Sequence, residues 1–277
     1  MQILIICINY NNDEETFSFI KETLRISRDR RLKIMVVDNS EKDKLKDKIK
    51  EVKQVLYYHT NKNLGYFGGA WFGLIQYLKE NPLPEWVIVC NTDIQFEENF
   101  FKKLIEYYQN SIYAIIAPDI ILETSKLPSS RKHQNPHFIT RPSKFRMYFY
   151  KWIFKYYPLY LFWELISGIR YEIINHLSKQ KNKNIKPQEI YAPFGACIIF
   201  HRNYFEAGGT LNTECFLFGE EIFVAETARK LNLRILYDPE LKVIHHEHSS
   251  ISILKSKQKA FYAYQSIKYY IDKFFKG

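Results

Sequence analysis

The sequence predicts an α/β domain whose central sheet is mostly parallel and is flanked by helices. Over residues 1–118, short apolar runs rich in β-branched residues alternate with segments of helical periodicity, which is the pattern of a parallel sheet. The 277 residues are enough for one such core with an appended segment. A hydrophobic fraction of 46% and a charged fraction of 25% exclude a disordered chain and a polytopic membrane protein.

Each predicted strand is a short apolar run bounded by polar or turn-forming residues. The predicted strands are residues 3–8, 33–37, 55–58, 86–90, 114–117, 196–200, 234–237 and 242–244. Helical spacing of apolar residues predicts a helix that opens at Asn12 and further helices over 41–53, 71–78, 96–109 and 220–231. We assign residues 1–253 to this domain.

Basic and aromatic residues are both abundant. The chain has 40 Lys and Arg against 30 Asp and Glu, a formal net charge of +10, with 21 Tyr and 21 Phe. Such a balance indicates an anionic partner, for which nucleic acid, anionic lipid headgroups and nucleotide diphosphates all qualify. Since no recognised nucleic-acid motif accompanies the charge, we expect no nucleic acid.

The cysteines and the first residues indicate the compartment. Four single cysteines stand in apolar contexts without the spacing of a zinc or redox motif, which predicts buried, reduced thiols. The apolar opening segment lacks a basic leader, so it predicts a strand rather than a signal peptide. We therefore expect a cytoplasmic location.

Two segments depart from the regular pattern. Residues from about 119 to 190 contain several prolines and a dense aromatic block over 145–163, which predicts an insert. Lysines interrupt the block and Pro158 ends it, so it suits a helix lying in a membrane interface better than a spanning one. Residues 254–277 interleave lysines with aromatics, which predicts a basic amphipathic helix of membrane-surface type. Both segments predict peripheral contact with the inner face of a membrane.

Polar residues follow the first two strands. Asn9 and Asn11 end the first, and Asp38 and Asn39 end the second, at the sheet edge where ligands bind. Asp38 is placed to accept hydrogen bonds from a nucleoside base or ribose. An ordinary Asx turn leaving a strand explains it equally well.

A glycine-rich loop follows the third strand. Asn63, Gly65 and Gly69 lie in this loop, directly before a helix. Glycines let the backbone approach a phosphate, and a helix N-terminus supplies partial positive charge. Tight turns use the same residues for steric reasons alone.

The fourth strand ends at Asn91, Thr92 and Asp93. Asp93 is the candidate metal ligand, because Mg²⁺ and Mn²⁺ prefer carboxylate and phosphate oxygens and neutralise a leaving diphosphate. A helix cap is the alternative reading of Asp93.

Two acidic residues and a histidine cluster complete the candidate site. Glu220 and Glu221 open a helix, where one could deprotonate an acceptor hydroxyl, although acids also favour a helix's first turn. Alternation along a strand separates His245 from His246 and His248. We expect one of these histidines to complete the site of Asp93, with structural histidines as the alternative.

The order of these motifs resembles the family 2 glycosyltransferases, in particular the rhamnosyltransferase-like branch with the GT-A fold of nucleotide-diphospho-sugar transferases. The matching residues are Asn9–Asn11, 37–40, 61–65, Gly68, Gly69, 91–93, Gly195, Glu220, Glu221 and His245. The resemblance implies that Asp38 contacts the nucleoside, that Asp93 is the last acid of a DXD-like metal motif and that His245 binds the same ion. It gives Glu221 the role of base.

Three departures from the family pattern bear on activity. Glu221 stands where the family usually has aspartate, so its side chain is one methylene longer. Asn91 replaces the first acid of the DXD pattern, and Ala70 and Trp71 replace asparagines. These changes predict weaker metal binding and either a shifted acceptor or a loss of activity.

The resemblance implies an inverting transfer from dTDP-rhamnose or a UDP-sugar to a hydroxyl of a surface glycan or lipid-linked saccharide, with Mn²⁺ or Mg²⁺. A sugar nucleotidyltransferase is one alternative, but it would carry a glycine-rich loop after the first strand, where residues 9–15 contain no glycine. A catalytically inactive protein that binds a membrane or a polysaccharide is the other alternative.

Overall fold

The centre of the molecule is one mixed sheet of ten strands. The computed structural model describes residues 2–27, 31–108, 111–123, 132–178, 186–246 and 255–276. The strands are β1 (Ile3–Asn9), β2 (Leu32–Asp38), β3 (Val55–His59), β4 (Trp86–Cys90), β5 (Ile94–Phe96), β6 (Ile115–Leu122), β7 (Lys132–His133), β8 (Gln188–Glu189), β9 (Cys197–His201) and β10 (Ile235–His245).

The helices lie on both faces of this sheet. They are α1 (Asp13–Ser27), α2 (Lys46–Ile49), α3 (Tyr66–Leu78), α4 (Phe100–Tyr107), α5 (Lys144–Lys155), α6 (Tyr157–Ser178), α7 (Arg202–Glu206), α8 (Glu220–Lys230) and α9 (Ser256–Tyr270), which continues as a π-helical turn over Ile271–Phe275.

The strand order is β3-β2-β1-β4-β9-β6-β10-β5, with β7 on β6 and β8 on β10. β1 pairs in parallel with β2 and β4, and β2 with β3, whereas β9 runs antiparallel between β4 and β6. Alternate residues of β1 face two separate cores, Leu4 and Ile6 in one and Ile3, Ile5 and Cys7 in the other. The predicted α/β architecture, with a central sheet flanked by helices, is confirmed.

Several predicted elements differ from the observed ones in their bounds. Only Lys46–Ile49 of the predicted helix 41–53 is helical, because the charged run offers little beyond Leu45 and Ile49 to bury. The helix predicted from residue 96 begins at Phe100, since Ile94–Phe96 pairs with β10 instead. The strands predicted at 234–237 and 242–244 form the single strand β10, whose register shifts after Asp238, next to a proline that lacks an N–H.

The region predicted as an insert contributes to the sheet. β6 extends to Leu122, and both β7 and β8 pair with strands of the main domain. The predicted break at Pro158 is present, but the chain continues as α6 with Pro158 in its first turn, where a missing N–H is tolerated. Among the described helices, none is long and apolar enough to cross a membrane.

The C-terminal segment packs into the core. Its apolar residues repeat at helical spacing and are buried there, namely Ile267, Tyr270, Ile271, Phe274 and Phe275. Helices α5 and α6 contact this segment, and the Phe223 ring of α8 lies 6.2 Å from the Phe274 ring, so this apolar face is buried within the protein. A membrane contact of the segment stays a prediction. Composition showed that the helix is amphipathic but not what covers its apolar face.

An ion-pair network fixes this segment to α8. The fully buried Glu226 accepts hydrogen bonds from Arg141 (2.6 Å), Arg229 (2.9 Å) and the Tyr191 hydroxyl (2.8 Å). Arg141 also donates to the carbonyl of Phe274 at 3.1 Å. Burial opposes the charge of Glu226, but these donors outweigh burial and hold its pKa below the ordinary value.

All four cysteines are buried and unpaired, as predicted. Burial raises the pKa of Cys7 to about 12. Thiols in this state are unreactive.

Candidate active site

The carboxyl ends of β1 and β2 are joined by Asn9. Its amide nitrogen lies 2.9 Å from both Asp38 Oδ1 and Asp13 Oδ1, and its oxygen accepts from the Thr16 hydroxyl at 2.9 Å. Asn9 is fully buried. It therefore acts on the predicted nucleotide site by holding Asp38 rather than by offering a free amide.

The carboxylate of Asp38 is also fully buried. Its Oδ1 accepts from the Ser40 amide at 3.0 Å, and its Oδ2 accepts from the Tyr57 hydroxyl at 2.8 Å. That hydroxyl also lies 2.6 Å from Asp43, and burial together with both acids raises the pKa of Tyr57. The Tyr57 hydroxyl thus occupies Asp38 Oδ2, and a contact of Asp38 with a nucleoside stays a prediction.

A shallow pocket lies beside the residues that follow β1 and β2. Its volume is about 210 Å³, and it is lined by Asn11, Asp13, Ser40, Glu41, Lys42 and Lys44. Asn11 has a positive φ of 55° and donates its backbone N–H to Ser40 Oγ at 2.7 Å. The pocket is smaller than most small-molecule sites, which measure roughly 300–1,000 Å³, so it suits one part of a ligand.

The glycine-rich loop is held against β2 by two asparagines. The Asn39 amide donates to the Gly65 carbonyl at 3.0 Å, and Asn63 Oδ1 accepts from the Gly65 N–H at 2.9 Å. Gly65 has φ +75°, and a Cβ there would overlap the Phe216 carbonyl. A Cβ at Gly69 would lie 3.0 Å from Ile8. Packing therefore explains both glycines, and their contact with phosphate stays a prediction.

Asp93 and His245 meet at the end of β4. Asp93 Oδ1 lies 3.3 Å from His245 Nε2, and both side chains are buried. Neither carboxylate oxygen nor Nε2 has a hydrogen-bond partner of good geometry. Burial opposes ionisation, but a protonated His245 ring, with the Asn91 side chain and the local backbone, outweighs it and lowers the pKa of Asp93.

A further contact fixes the His245 ring. Its Nδ1 lies 2.7 Å from Gln134 Oε1, which can only accept, so Nδ1 carries the proton. In the neutral ring, Nε2 then points a lone pair at the Asp93 carboxylate. Two buried acceptors facing each other are unfavourable without a cation or a proton between them. The donor set therefore fits a divalent cation.

The neighbours of this pair make further contacts. The Thr92 hydroxyl donates to Glu15 at 2.9 Å, and the Asn91 N–H donates to the Ala196 carbonyl at 3.0 Å. His246 contacts Gln95 and Glu123, so the structure separates it from His245. His248 lies outside the described residues. Within the described part, no three His, Cys, Asp or Glu residues converge on a metal position, so an ion would need further oxygens from its ligand.

The acidic pair begins α8. Glu221 Oε1 accepts from the Gly195 N–H at 3.2 Å, and a Cβ at Gly195 would lie 2.8 Å from that oxygen. Glu220 is buried, and burial together with the charge of Glu221 raises its pKa to about 8. Glu220 thus holds a proton at neutral pH.

The segment Phe194–Ala196 links these groups. The Phe194 ring lies 6.5 Å from the His245 ring, and the Gly195 carbonyl accepts from the Tyr66 hydroxyl at 3.0 Å. Because Gly195 also contacts Glu221, the segment connects the metal pair, the start of α3 and the acidic pair. Chemically, a candidate cation site and a carboxylate contact the same short backbone segment.

Comparison with known proteins identifies the family. The sequence model described as Glycosyl transferase family 2 matches residues 4–209, well over half of the chain. The chain belongs to glycosyl transferase family 2. The predicted family is thereby confirmed, and the rhamnosyltransferase-like branch stays a prediction.

Two known proteins resemble this family 2 chain. It is 24% identical over 245 residues to the low-salt glycan biosynthesis hexosyltransferase Agl10 of Haloferax volcanii, covering 88% of this chain and 66% of that protein. The crystal structure of GalNAc-T7 with UDP, GalNAc and Mn²⁺ matches with a TM-score of 0.56 and 14% identity, over 98% of this chain and 51% of that one. The predicted GT-A fold is confirmed. This chain thus spans about half to two-thirds of the length of these proteins.

Several site residues of this family 2 chain were missed by sequence reasoning. Gln134 fixes His245, and Asn135 accepts from the Phe194 N–H at 2.8 Å. Both follow β7 in the region predicted as an insert. They carry no motif, and only the pairing of β7 with β6 brings them to the site.

The C-terminal helix supports the start of α8. Phe218 and Gly219 have positive φ values of 71° and 81°. Ser266 donates to the Leu217 carbonyl at 2.6 Å, and a Cβ at Gly219 would overlap the Tyr270 ring. The helix therefore holds the turn that presents Glu220 and Glu221.

Proposed function

We propose that the protein is an inverting, metal-dependent glycosyltransferase that moves a sugar from a nucleotide-diphosphate donor to an acceptor hydroxyl. The observation that carries this proposal is the buried pair of Asp93 and His245, whose facing acceptor atoms fit a cation. The segment over 194–195 contacts both this pair and Glu221, because the Phe194 ring lies near the His245 ring and the Gly195 N–H donates to Glu221.

Asp93 and His245 would hold Mn²⁺ or Mg²⁺. When bound, the ion supplies positive charge that stabilises the departing nucleoside diphosphate. Gln134 keeps the lone pair of Nε2 directed at the site, which is the usual task of a residue behind a metal-binding histidine. We assign the nucleoside to the pocket beside Asn11 and Ser40. The Tyr57 hydroxyl, which bonds to Asp38, would have to turn away before the nucleoside could reach that carboxylate.

Glu221 would act as the base. Its carboxylate takes the proton of the acceptor hydroxyl while that oxygen bonds to the anomeric carbon and the bond to the diphosphate breaks, so one displacement inverts the configuration. The Gly195 N–H orients the carboxylate. The neutral Glu220 avoids a second buried charge beside it.

For the donor, we propose a UDP-sugar or dTDP-rhamnose. A hexosyltransferase among the relatives and a structural neighbour solved with UDP support a UDP-hexose, whereas the branch resemblance supports dTDP-rhamnose. For the acceptor, we propose a surface-glycan or lipid-linked saccharide, reached by a cytoplasmic protein in peripheral contact with the membrane. The glycan-biosynthesis relative supports a glycan acceptor.

Nucleotide binding tests the proposal directly. We expect one of UDP, dTDP, GDP and CDP to raise the melting temperature in the presence of Mn²⁺ and not with EDTA, because a ligand stabilises the state that it binds. His245→Ala should abolish the Mn²⁺-dependent part, and the adjacent control His246→Ala should retain it. The absence of any shift would favour the inactive binding protein, and pyrophosphate release from a nucleoside triphosphate would favour the nucleotidyltransferase.

Glu221→Gln separates chemistry from binding. Because the amide cannot accept the proton, turnover should fall by at least about 10²-fold, while the nucleotide-induced shift persists. Retained turnover would remove Glu221 from the role of base.

A further inference from the structure

Helices α5 and α6 carry most of the exposed apolar surface. Of the thirteen large hydrophobic side chains exposed among the described residues, nine lie on these helices or between them. We call them the aromatic face: Phe145, Tyr148, Phe149, Trp152, Tyr156, Leu161, Phe162, Leu165 and Ile166. An exposed cluster of this kind marks an interaction surface.

The face is built by helical periodicity. Phe145, Phe149 and Trp152 follow one another at spacings of four and three residues, so they form one stripe along α5. The Tyr156 ring, directly after the helix, extends this stripe, since it lies 6.2 Å from the Trp152 ring. The opposite side of α5 is the packed one, since Met147 and Ile153 are buried. Phe145 is 81% exposed and Trp152 is 54% exposed, so the stripe lies open to solvent.

Positive charge borders the face. α5 contains four basic residues and no acidic one, namely Lys144, Arg146, Lys151 and Lys155. The Lys151 ammonium lies 5.8 Å from the centre of the Tyr148 ring, and the Lys155 ammonium lies 5.4 Å from that of Tyr156. Aromatic rings flanked by lysines match the boundary of an anionic bilayer, where rings lie at the headgroup level and ammonium groups meet phosphates.

Charge also decides against a second copy of this chain. A two-fold contact through the same face would bring the basic residues of two α5 helices together. Like charges facing each other across an interface oppose association. An anionic partner is required instead.

We propose that the aromatic face docks on an anionic lipid bilayer. Phe145, Phe149, Trp152 and Tyr156 enter the headgroup region, and Lys151 and Lys155 contact lipid phosphates. The membrane contact of the proposed function therefore lies on α5 and α6 and not on the C-terminal helix. Docking itself does not depend on catalysis.

Vesicle flotation of the full chain tests the proposal. The protein should float with vesicles of phosphatidylcholine and phosphatidylglycerol, and more weakly with phosphatidylcholine alone. Phe149→Glu with Trp152→Glu should weaken binding at least about tenfold, because two apolar anchors become anions. Ile112→Glu is the matched control: Ile112 is 68% exposed but lies outside the face, so binding should persist.

Further measurements separate insertion of the face from misfolding of a variant. Brominated lipid should quench the fluorescence of the parent protein and quench Trp152→Phe much less. Far-UV circular dichroism and the melting temperature check that each variant folds. Turnover of a water-soluble acceptor should survive the double substitution, so a failure of docking and a failure of the transferase function remain distinguishable.

Two results would overturn the proposal. One is equal vesicle binding by the parent, the double variant and the control, or binding by none of them. The other is a concentration-dependent dimer in light scattering that the double substitution disrupts, with no lipid binding, since a second copy would then cover the face.

Discussion

Helices α5 and α9 are alike in sequence and differ in what covers them. Both mix aromatic residues with lysines at helical spacing. In α5 the stripe through Phe149 and Trp152 is exposed, whereas the stripe of α9 and its π-helical turn through Tyr270 and Phe274 is buried. The sequence of a helix makes it amphipathic, but the rest of the fold determines what its apolar face contacts.

The largest expected contrast between the two helices is in stability. Phe275→Ala removes a ring from the buried core and should lower the free energy of unfolding by about 3–5 kcal/mol. Phe149→Ala removes an exposed ring and should change it by less than about 0.5 kcal/mol. Urea unfolding of both variants measures the difference, and equal effects would break the comparison.

The network that holds the C-terminal segment should be the next most sensitive. Arg141→Ala leaves the buried Glu226 with fewer donors and should cost about 2–3 kcal/mol of the free energy of unfolding. Arg25→Ala breaks an exposed pair with Glu22 and serves as the control, with a much smaller effect because solvent screens that pair. An effect of Arg141→Ala no larger than the control would show that the network does not anchor the segment.

Glu220, beside the C-terminal helix, should make stability depend on pH. Its pKa is raised from the ordinary value near 4.3 to about 8, so between these values the unfolded chain has released a proton that the folded chain keeps. Stability should therefore fall as pH rises through this window. Glu220→Gln should flatten the slope in urea unfolding across pH, and an unchanged slope would assign it to other groups.

The smallest expected effect concerns two serines, Ser266 on α9 and Ser167 on α6. Ser266→Ala removes the donor to the Leu217 carbonyl and should cost about 1 kcal/mol of the free energy of unfolding. It should also lower kcat more than it changes KM, because that turn presents Glu221. Ser167 on α6 bonds only within its own helix turn, so Ser167→Ala should alter neither quantity appreciably. A reduced kcat in both variants would contradict the positioning role.

The parallel half of the fold was predictable because its signals are local. The strands at 3–8 and 86–90 are apolar runs bounded by polar residues, and the structure places them within one residue of those bounds. The short antiparallel strand Ile94–Phe96 was missed, since its pairing with β10 joins residues about 150 positions apart. Sequence patterns report periodicity and contain no such pairing.

For the site, the sequence supplied the residues but not their supports. Asp93 and His245 were paired through the order of motifs, and the structure brings them within 3.3 Å. Their roles as metal ligands stay a prediction. Gln134 and Tyr57 belong to no recognisable motif. Their contacts with His245 and Asp38 form between strands that meet only in the folded sheet.

The peptide of Gly195 has a consequence for the order of events. Its carbonyl accepts from Tyr66 at the start of α3, while Gly195's own N–H donates to Glu221. Peptide groups are planar and stiff, so a glycine held on both sides has only its two backbone torsions left to absorb a displacement. We expect a shift of α3 on donor binding to move the Glu221 carboxylate, because Gly195 is hydrogen-bonded to both Tyr66 and Glu221. We expect Glu221 to reach its position for the acceptor hydroxyl only after the donor has bound.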